Sequence, residues 1–286
     1  MADELTGPES LVERAEQRTA AKRDGATVLR LRWGRLDLDT FTAAFEQTVH
    51  LCEPDARRLC FLSPGILADN ADPAAASALA AALQERGEPC LVVPSAELLP
   101  LPSVTPVTHL RLTSAGVHPV AVGEEGELCP WASAAALSLA HVHGETTRVV
   151  PESTGMILEH ALTATVYGGL WGLAHVPSDL PVSVETLGAQ LDLIFTAPAR
   201  RLRIDAHKFD FLLLGDQLQT TGEANIHDLA RWFLTAAPAL RTNVDAQELL
   251  ATGRAALPQL SPPLFDDLGH WLLNLAHFSP PTAAGG

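Results

Sequence analysis

Two short clusters of polar side chains are the places in this sequence where residue type and spacing could do chemistry. The first is His141, His143 and Glu145, in the stretch HVHGE. Side chains alternate along a strand, so these three would share one face and could together ligate zinc or iron. The stretch also follows a predicted strand and breaks at Gly144, so a solvated strand end without a metal is the favoured interpretation.

The second cluster is Asp205, His207 and Asp210, in RLRIDAHKFDFLLLG. The three could supply oxygen and nitrogen ligands to a metal ion, but Lys208 stands among them and would repel a cation. The alternation of apolar and polar residues in this stretch shifts by one position at His207. Such a shift is typical of a bulge or tight turn between two strands. Aspartates in such a turn accept hydrogen bonds from backbone amides, so a turn is favoured over a site.

Catalytic motifs are missing from the sequence. It holds no G-x-G-x-x-G or Walker A loop, no G-x-S-x-G elbow, no H-E-x-x-H helix and no EF-hand loop. Because active sites also form from residues far apart in sequence, this lowers the expectation of an enzyme without removing it. We expect a non-catalytic protein with no cofactor, and keep a metal-dependent enzyme on the His141, His143 and Glu145 strand as the alternative.

An apolar, glycine-rich insertion, residues 151–189, is the best candidate for a binding site. Its stretch STGMILEHALTATVYGGLWGLAHVP fits a core helix, a segment that docks on a partner protein, or a helix at a membrane surface. The last lacks the basic polar face that such helices use. Aromatic and methionine side chains supply large apolar area at interfaces. The predicted anchors for a protein partner are Met156, Tyr167, Leu170 and Trp171.

Composition and charge restrict the partners and the compartment. The net charge is −15, whereas nucleic-acid binding needs a basic face, and anionic lipid would be repelled. The acidic N-terminus carries no secretory signal, and no run of eighteen apolar residues predicts a membrane span. Four cysteines without a C-x2-C pair favour reduced thiols in a cytoplasm. Lysine occurs only at Lys22 and Lys208, which is typical of a high-GC bacterial genome.

The elements that would position these clusters predict an α+β protein of two domains. Residues 1–24 form a charged lead, and residues 25–100 alternate strand and helix, with a helix capped by Asp72 that runs from Pro73 to Gly87. The prolines between Pro100 and Val107 mark the boundary. Residues 105–278 then predict a mainly β domain with a capping helix from Asn225 and C-terminal helices, and residues 279–286 a disordered tail.

Two resemblances follow from these patterns. The Ala-rich helix followed by ERGEPCLVVP resembles one half of a small α/β sandwich, such as the C-terminal domain of the ribosomal stalk protein. Residues 107–237 are similar to bacterial pleckstrin-homology-like (PH-like) domains, on the basis of Gly116, Pro130-Trp131 and the Asn225 helix. The insertion and the last fifty residues depart from that pattern. The second resemblance implies a binding or scaffolding module and transfers no catalytic residue.

The sequence therefore predicts a cytoplasmic protein–protein interaction module, an adaptor or a structural subunit of a bacterial assembly. The oligomeric state stays open at this level. A protein at the membrane periphery, as some PH-like domains are, is the third interpretation after the metal-dependent enzyme.

Overall fold

The computed structural model describes residues 24–33, 37–49, 53–62, 65–121, 124–149 and 181–279. It confirms the α+β class. The N-terminal unit has three strands and three helices: β1 (Ala26–Arg30), α1 (Leu38–Val49), α2 (Glu53–Leu62), β2 (Ile66–Ala71), α3 (Pro73–Glu85) and β3 (Cys90–Pro94). Its strands form an antiparallel sheet in the order β2-β1-β3.

Local sequence signals explain where these helices begin. Asp72 caps α3 by accepting from the amides of Ala74 and Ala75, and Pro73 opens the helix, as predicted. At the start of α1, Asp37 Oδ2 accepts from Thr40 N. After α2, Ile66 opens the edge strand β2.

The C-terminal unit is built on a long, six-stranded sheet. Its main path is β12-β9-β10-β11-β4, and β13 also pairs with β9. These strands are β4 (Val104–Pro106), β9 (Ala134–Val149), β10 (Pro181–Thr196), β11 (Ala199–Asp205), β12 (Arg241–Thr242) and β13 (Gln259–Leu260). A smaller sheet contains β5 (His109–Leu112), β6 (Gly116–Ala121), β7 (Glu124–Glu125) and β8 (Cys129–Pro130). The helices are α4 (Gly222–Ala236), α5 (Ala246–Thr252) and α6 (Pro262–Phe278).

Helices cover both faces of the long sheet. Alternate residues of β9 and β10, such as Leu139 and Leu191, pack with α4 residues such as Phe233. Ala140 and Ile194 lie on the opposite face of the same strands and pack with α6. Because both faces are buried, these strands have nearly continuous apolar runs where the helices lie.

Helix α6 connects the two units. Its buried apolar side chains belong to one cluster that also contains Leu29 and Val93 of the N-terminal sheet. The indole of Trp271 donates to Arg30 O at 2.8 Å. Gly65 lies against the same indole, where any Cβ would overlap the ring. The helix therefore lies between the two sheets.

Three further predictions about the C-terminal unit were wrong. The predicted insertion 151–189 is shorter, because β10 begins at Pro181. The cap of α4 is Thr221, whose hydroxyl accepts from Ala224 N, while Asn225 is a buried residue within the helix. RLRIDAHKFDFLLLG contains one strand rather than two, since a 3-10 segment, Phe211–Gln217, follows the turn after β11. Single-sequence patterns cannot tell a 3-10 turn from a short apolar strand.

Candidate functional site

Strands β9 and β10 extend beyond the sheet that contains them. They pair with each other from Ala134↔Phe195 to Val149↔Pro181. On the β10 side, β11 pairs with residues 190–196, and Ala206 N donates to Ala189 O. On the β9 side, β12 and β13 end at Val142. Among the described strands, residues 143–149 and 181–187 therefore pair only with each other, and we name this two-stranded extension the ribbon.

A side-chain amide completes the hydrogen bonding of the outer edge of β9 up to the base of the ribbon. Between β12 and β13, the side chain of Asn243 takes the place of a strand residue. Its Oδ1 accepts from Leu139 N and its Nδ2 donates to Leu139 O, both at 2.9 Å. Next along the strand, His141 N donates to Pro258 O at 2.9 Å. Coverage of the edge thus continues to Val142, where the ribbon begins.

The predicted partner anchors lie between the two ends of the ribbon. Met156, Tyr167, Leu170 and Trp171 fall outside the residues that the structure describes, as does all of 150–180. The structure gives the register Val149↔Pro181, so the residues on either side of this apolar segment are adjacent. The role of the four anchors in binding stays a prediction.

The predicted metal trio is only partly described. His141 Nε2 lies 3.2 Å from Glu223 Oε1 on α4, while His143 is exposed at the base of the ribbon. Glu145 is paired in register with Glu185, and its side chain is outside the description. Among the side chains that are described, no group of three or more His, Cys, Asp or Glu could hold a metal ion. The carboxylate partner of His141 is thus Glu223, which the local sequence pattern could not indicate.

One helical turn after Glu223, His227 is buried with its Nε2 atom lacking a hydrogen-bond partner. Burial lowers the pKa of His227 below its ordinary value, and the Glu223 carboxylate opposes that shift only in part. A neutral imidazole is therefore the form that this position favours near pH 7. No pattern in the sequence distinguishes His227 from an ordinary α4 residue, because its burial depends on the packing of α4 on the long sheet.

The second sequence cluster is the predicted turn. Asp205 Oδ1 accepts from His207 N, and Asp210 Oδ1 accepts from Leu212 N, both at 2.9 Å. Lys208 Nζ lies 3.4 Å from Asp205 Oδ2. Each aspartate is thus used by backbone amides close to it in sequence, as the turn interpretation predicted.

A buried ionic network, which the sequence analysis missed, lies where α6 crosses the long sheet. Asp192 is fully buried and accepts from Arg201 Nε at 2.6 Å and Arg203 Nε at 2.8 Å. Both arginines also donate to Asp266 of α6 at 2.7 Å. Burial alone would raise the pKa of Asp266, but the two guanidinium groups hold it below its usual value. The available signal was Asp192 within the apolar run LDLIF, together with arginines at the alternate positions 201 and 203 of the next strand.

The cysteines with described side chains are poor nucleophiles. Cys90 and Cys129 are free and buried. Burial raises the pKa of the Cys90 thiol to about 12 and also raises the pKa of Cys129. Since the thiolate is the reactive form, neither group has the character of a catalytic cysteine.

Comparison with known proteins adds no assignment. The chain matches no protein-family model, no curated protein and no solved structure. In the part of the chain that the structure describes, no helix is long and apolar enough to cross a membrane. The ribbon and the segment that it carries are therefore the feature on which a functional argument can rest.

Proposed function

We propose that this protein is a cytoplasmic protein–protein interaction module, an adaptor or structural subunit of a bacterial assembly. In this proposal the ribbon presents residues 150–180 to a partner protein. The observation that supports it is the register of β9 and β10, which continues past the last flanking strand on both sides.

The energetics of a two-stranded ribbon favour this function. An isolated pair of strands is marginally stable in water, and exposed strand edges invite unwanted pairing. The chain nonetheless extends β9 and β10 to Val149 and Pro181 and joins them through an apolar, glycine-rich segment. Contiguous apolar surface marks interfaces, and this segment has the residue types that form one. A partner that covers the segment would stabilise the ribbon, which is only marginally stable in the chain alone.

The electrostatics restrict the class of partner. A net charge of −15 disfavours nucleic acid and anionic lipid, and favours a protein with neutral or basic surface. The resemblance of residues 107–237 to PH-like domains is part of the same proposal, since it also implies a binding module. The His141 geometry gives the metal-dependent alternative no added support, because Glu223 is its described partner.

A segment replacement tests the proposal. Because Arg148 and Val182 are paired in register and direct their backbone groups toward each other, an Asn-Gly turn in place of residues 149–181 can close the hairpin without moving either strand. We expect native mass spectrometry of the protein isolated from its own host at low salt to show stoichiometric partner subunits, and the shortened variant to lose them. Substituting Met156, Tyr167, Leu170 and Trp171 together by serine should have the same effect.

The control uses apolar residues that are exposed and lie elsewhere in the chain. Leu212 and Leu250 are 72% and 43% exposed, and their replacement by serine should leave every partner in place. Unchanged partners after removal of 149–181 would overturn the proposal, provided that the thermal midpoint shows the variant to be folded.

A further inference from the structure

The outer edge of β9 in the ribbon exposes backbone groups that can be assigned residue by residue. Leu139 N and O bond to Asn243, and His141 N bonds to Pro258, so both residues direct their backbone groups away from β10. Peptide groups alternate along a strand. The residues of the ribbon that point the same way are His143, Glu145, Thr147 and Val149.

The opposite edge of the ribbon is less suited to pairing. Ala189 O accepts from Ala206 N, so the odd-numbered residues of β10 point outward. The last of these is Pro181, which has no N–H to donate. The β9 edge keeps its donors along the whole ribbon. Among the described strands, none pairs with it beyond Val142.

We propose that the open edge of β9, residues 143–149, pairs with the same edge of a second copy of this chain. The two strands run antiparallel about Thr146, which makes the contact a closed twofold interface. Glu145 of each copy lies opposite Thr147 of the other, and His143 lies opposite Val149. In this register all outward backbone groups of residues 143–149 are paired, and no two like charges are opposite each other.

The length of the open edge is the reason for proposing that a second copy pairs with it. The open edge is bounded at one end by β13, which pairs with His141 and Val142, and at the other by the end of β9. A strand paired about Thr146 ends where β13 begins, so the same seven positions are filled in both copies. A strand that continued beyond the position opposite His143 would meet Leu260 of β13 in the plane of the sheet.

The net charge modifies the strength of this contact and not its geometry. Two chains of charge −15 repel each other, so association should tighten as added salt screens the repulsion. The inference concerns the backbone edge of β9 alone. It therefore does not depend on the proposed role of residues 150–180, and the shortened Asn-Gly variant should still form the pair.

Cysteine cross-linking tests the register. Thr146 faces itself across the twofold axis in a non-hydrogen-bonded pair, where Cα atoms are about 4.5 Å apart, a separation that a disulfide can span. We expect Thr146→Cys to give a covalent dimer under mild oxidation of the full chain. The matched control is Arg148→Cys, whose two copies would be about 13 Å apart along the strands, so it should stay uncross-linked. Equal cross-linking of both variants, or of neither, would overturn the register.

A second pair of variants tests edge pairing without any cross-link. Thr147→Pro removes one outward N–H while leaving the bonds between β9 and β10 in place, and Thr147→Val keeps the N–H. Sedimentation over a concentration series should show dimers for the unchanged chain and for Thr147→Val, and monomers for Thr147→Pro. If Thr147→Pro fails to fold, Thr146→Cys capped with a bulky maleimide replaces it and should also be monomeric. An unchanged chain that is monomeric at every concentration, even at high salt, refutes the inference.

Discussion

At the residue scale, the structure changes which histidine matters. The sequence pattern directs attention to His141 and His143, which share a strand face, but tertiary packing pairs His141 with Glu223 and buries His227 beside them. The charged groups that act on His227 are Glu223 and Asp228 of its own helix, His141 of β9 and Arg254 after α5. Desolvation has the largest effect on the pKa of His227 and disfavours the charged imidazolium. Protonation of His227 therefore opposes folding.

His227 should make the protein sensitive to acid. Its folded-state pKa lies below the unfolded value of about 6.5. Above pH 6.5 both states are neutral and His227 contributes no pH dependence. As the pH falls below 6.5, the unfolded state binds a proton first, so the free energy of unfolding decreases. Urea unfolding at pH 7.5 and 5.5 should show a smaller loss of stability for His227→Gln than for the unchanged chain.

The control for that experiment is His143→Gln, because His143 is exposed and its substitution should leave the pH dependence unchanged. The His227 interpretation is wrong if the His227→Gln variant loses as much stability between the two pH values as the unchanged chain.

At the element scale, α6 is the piece that holds the molecule together. Its Trp271 packs under Gly65 and donates to Arg30 O, while its Asp266 accepts from Arg201 and Arg203. The helix itself was predictable, since Pro262 follows Ser261 and an apolar run begins there. Its position between the two sheets was not, because the contacts join residues at opposite ends of the chain.

The contact between Gly65 and Trp271 gives a prediction for this packing. Gly65→Ala should lower the free energy of unfolding by about 1–3 kcal/mol, because the methyl group has no room beside the indole. In a double-mutant cycle, Gly65→Ala should cost much less when Trp271 is already leucine. Additive losses, measured by urea unfolding, would show that the two positions are independent.

At the scale of the whole molecule, the two units share one apolar cluster. Leu29 and Val93 of the N-terminal sheet, Ala140 and Ile194 of the long sheet, and Trp271 between them are all buried together. Packing of this kind couples the units energetically, although the sequence pattern predicts two domains separated at the prolines near residue 100.

We therefore expect a single unfolding transition. Far-ultraviolet circular dichroism, which follows both sheets, and tryptophan fluorescence, to which Trp33 and Trp271 of the shared cluster contribute, should give coincident urea curves. Two separate transitions would mean that α6 packs stably against only one of the two units. The Trp271→Leu variant should weaken the coupling and separate the curves.

Local sequence was sufficient to predict the α+β class, the helix from Asp72 and Pro73 and the turn at Asp205. These depend on propensity, capping and alternation, which act over a few neighbouring residues. Four features became visible only in the folded chain: the Asn243 bonds to β9, the His141–Glu223 contact, the ionic network around Asp192 and the ribbon beyond the flanking strands. Each of these joins elements that are distant along the chain, and burial and pairing between such elements leave no periodic signal in the sequence.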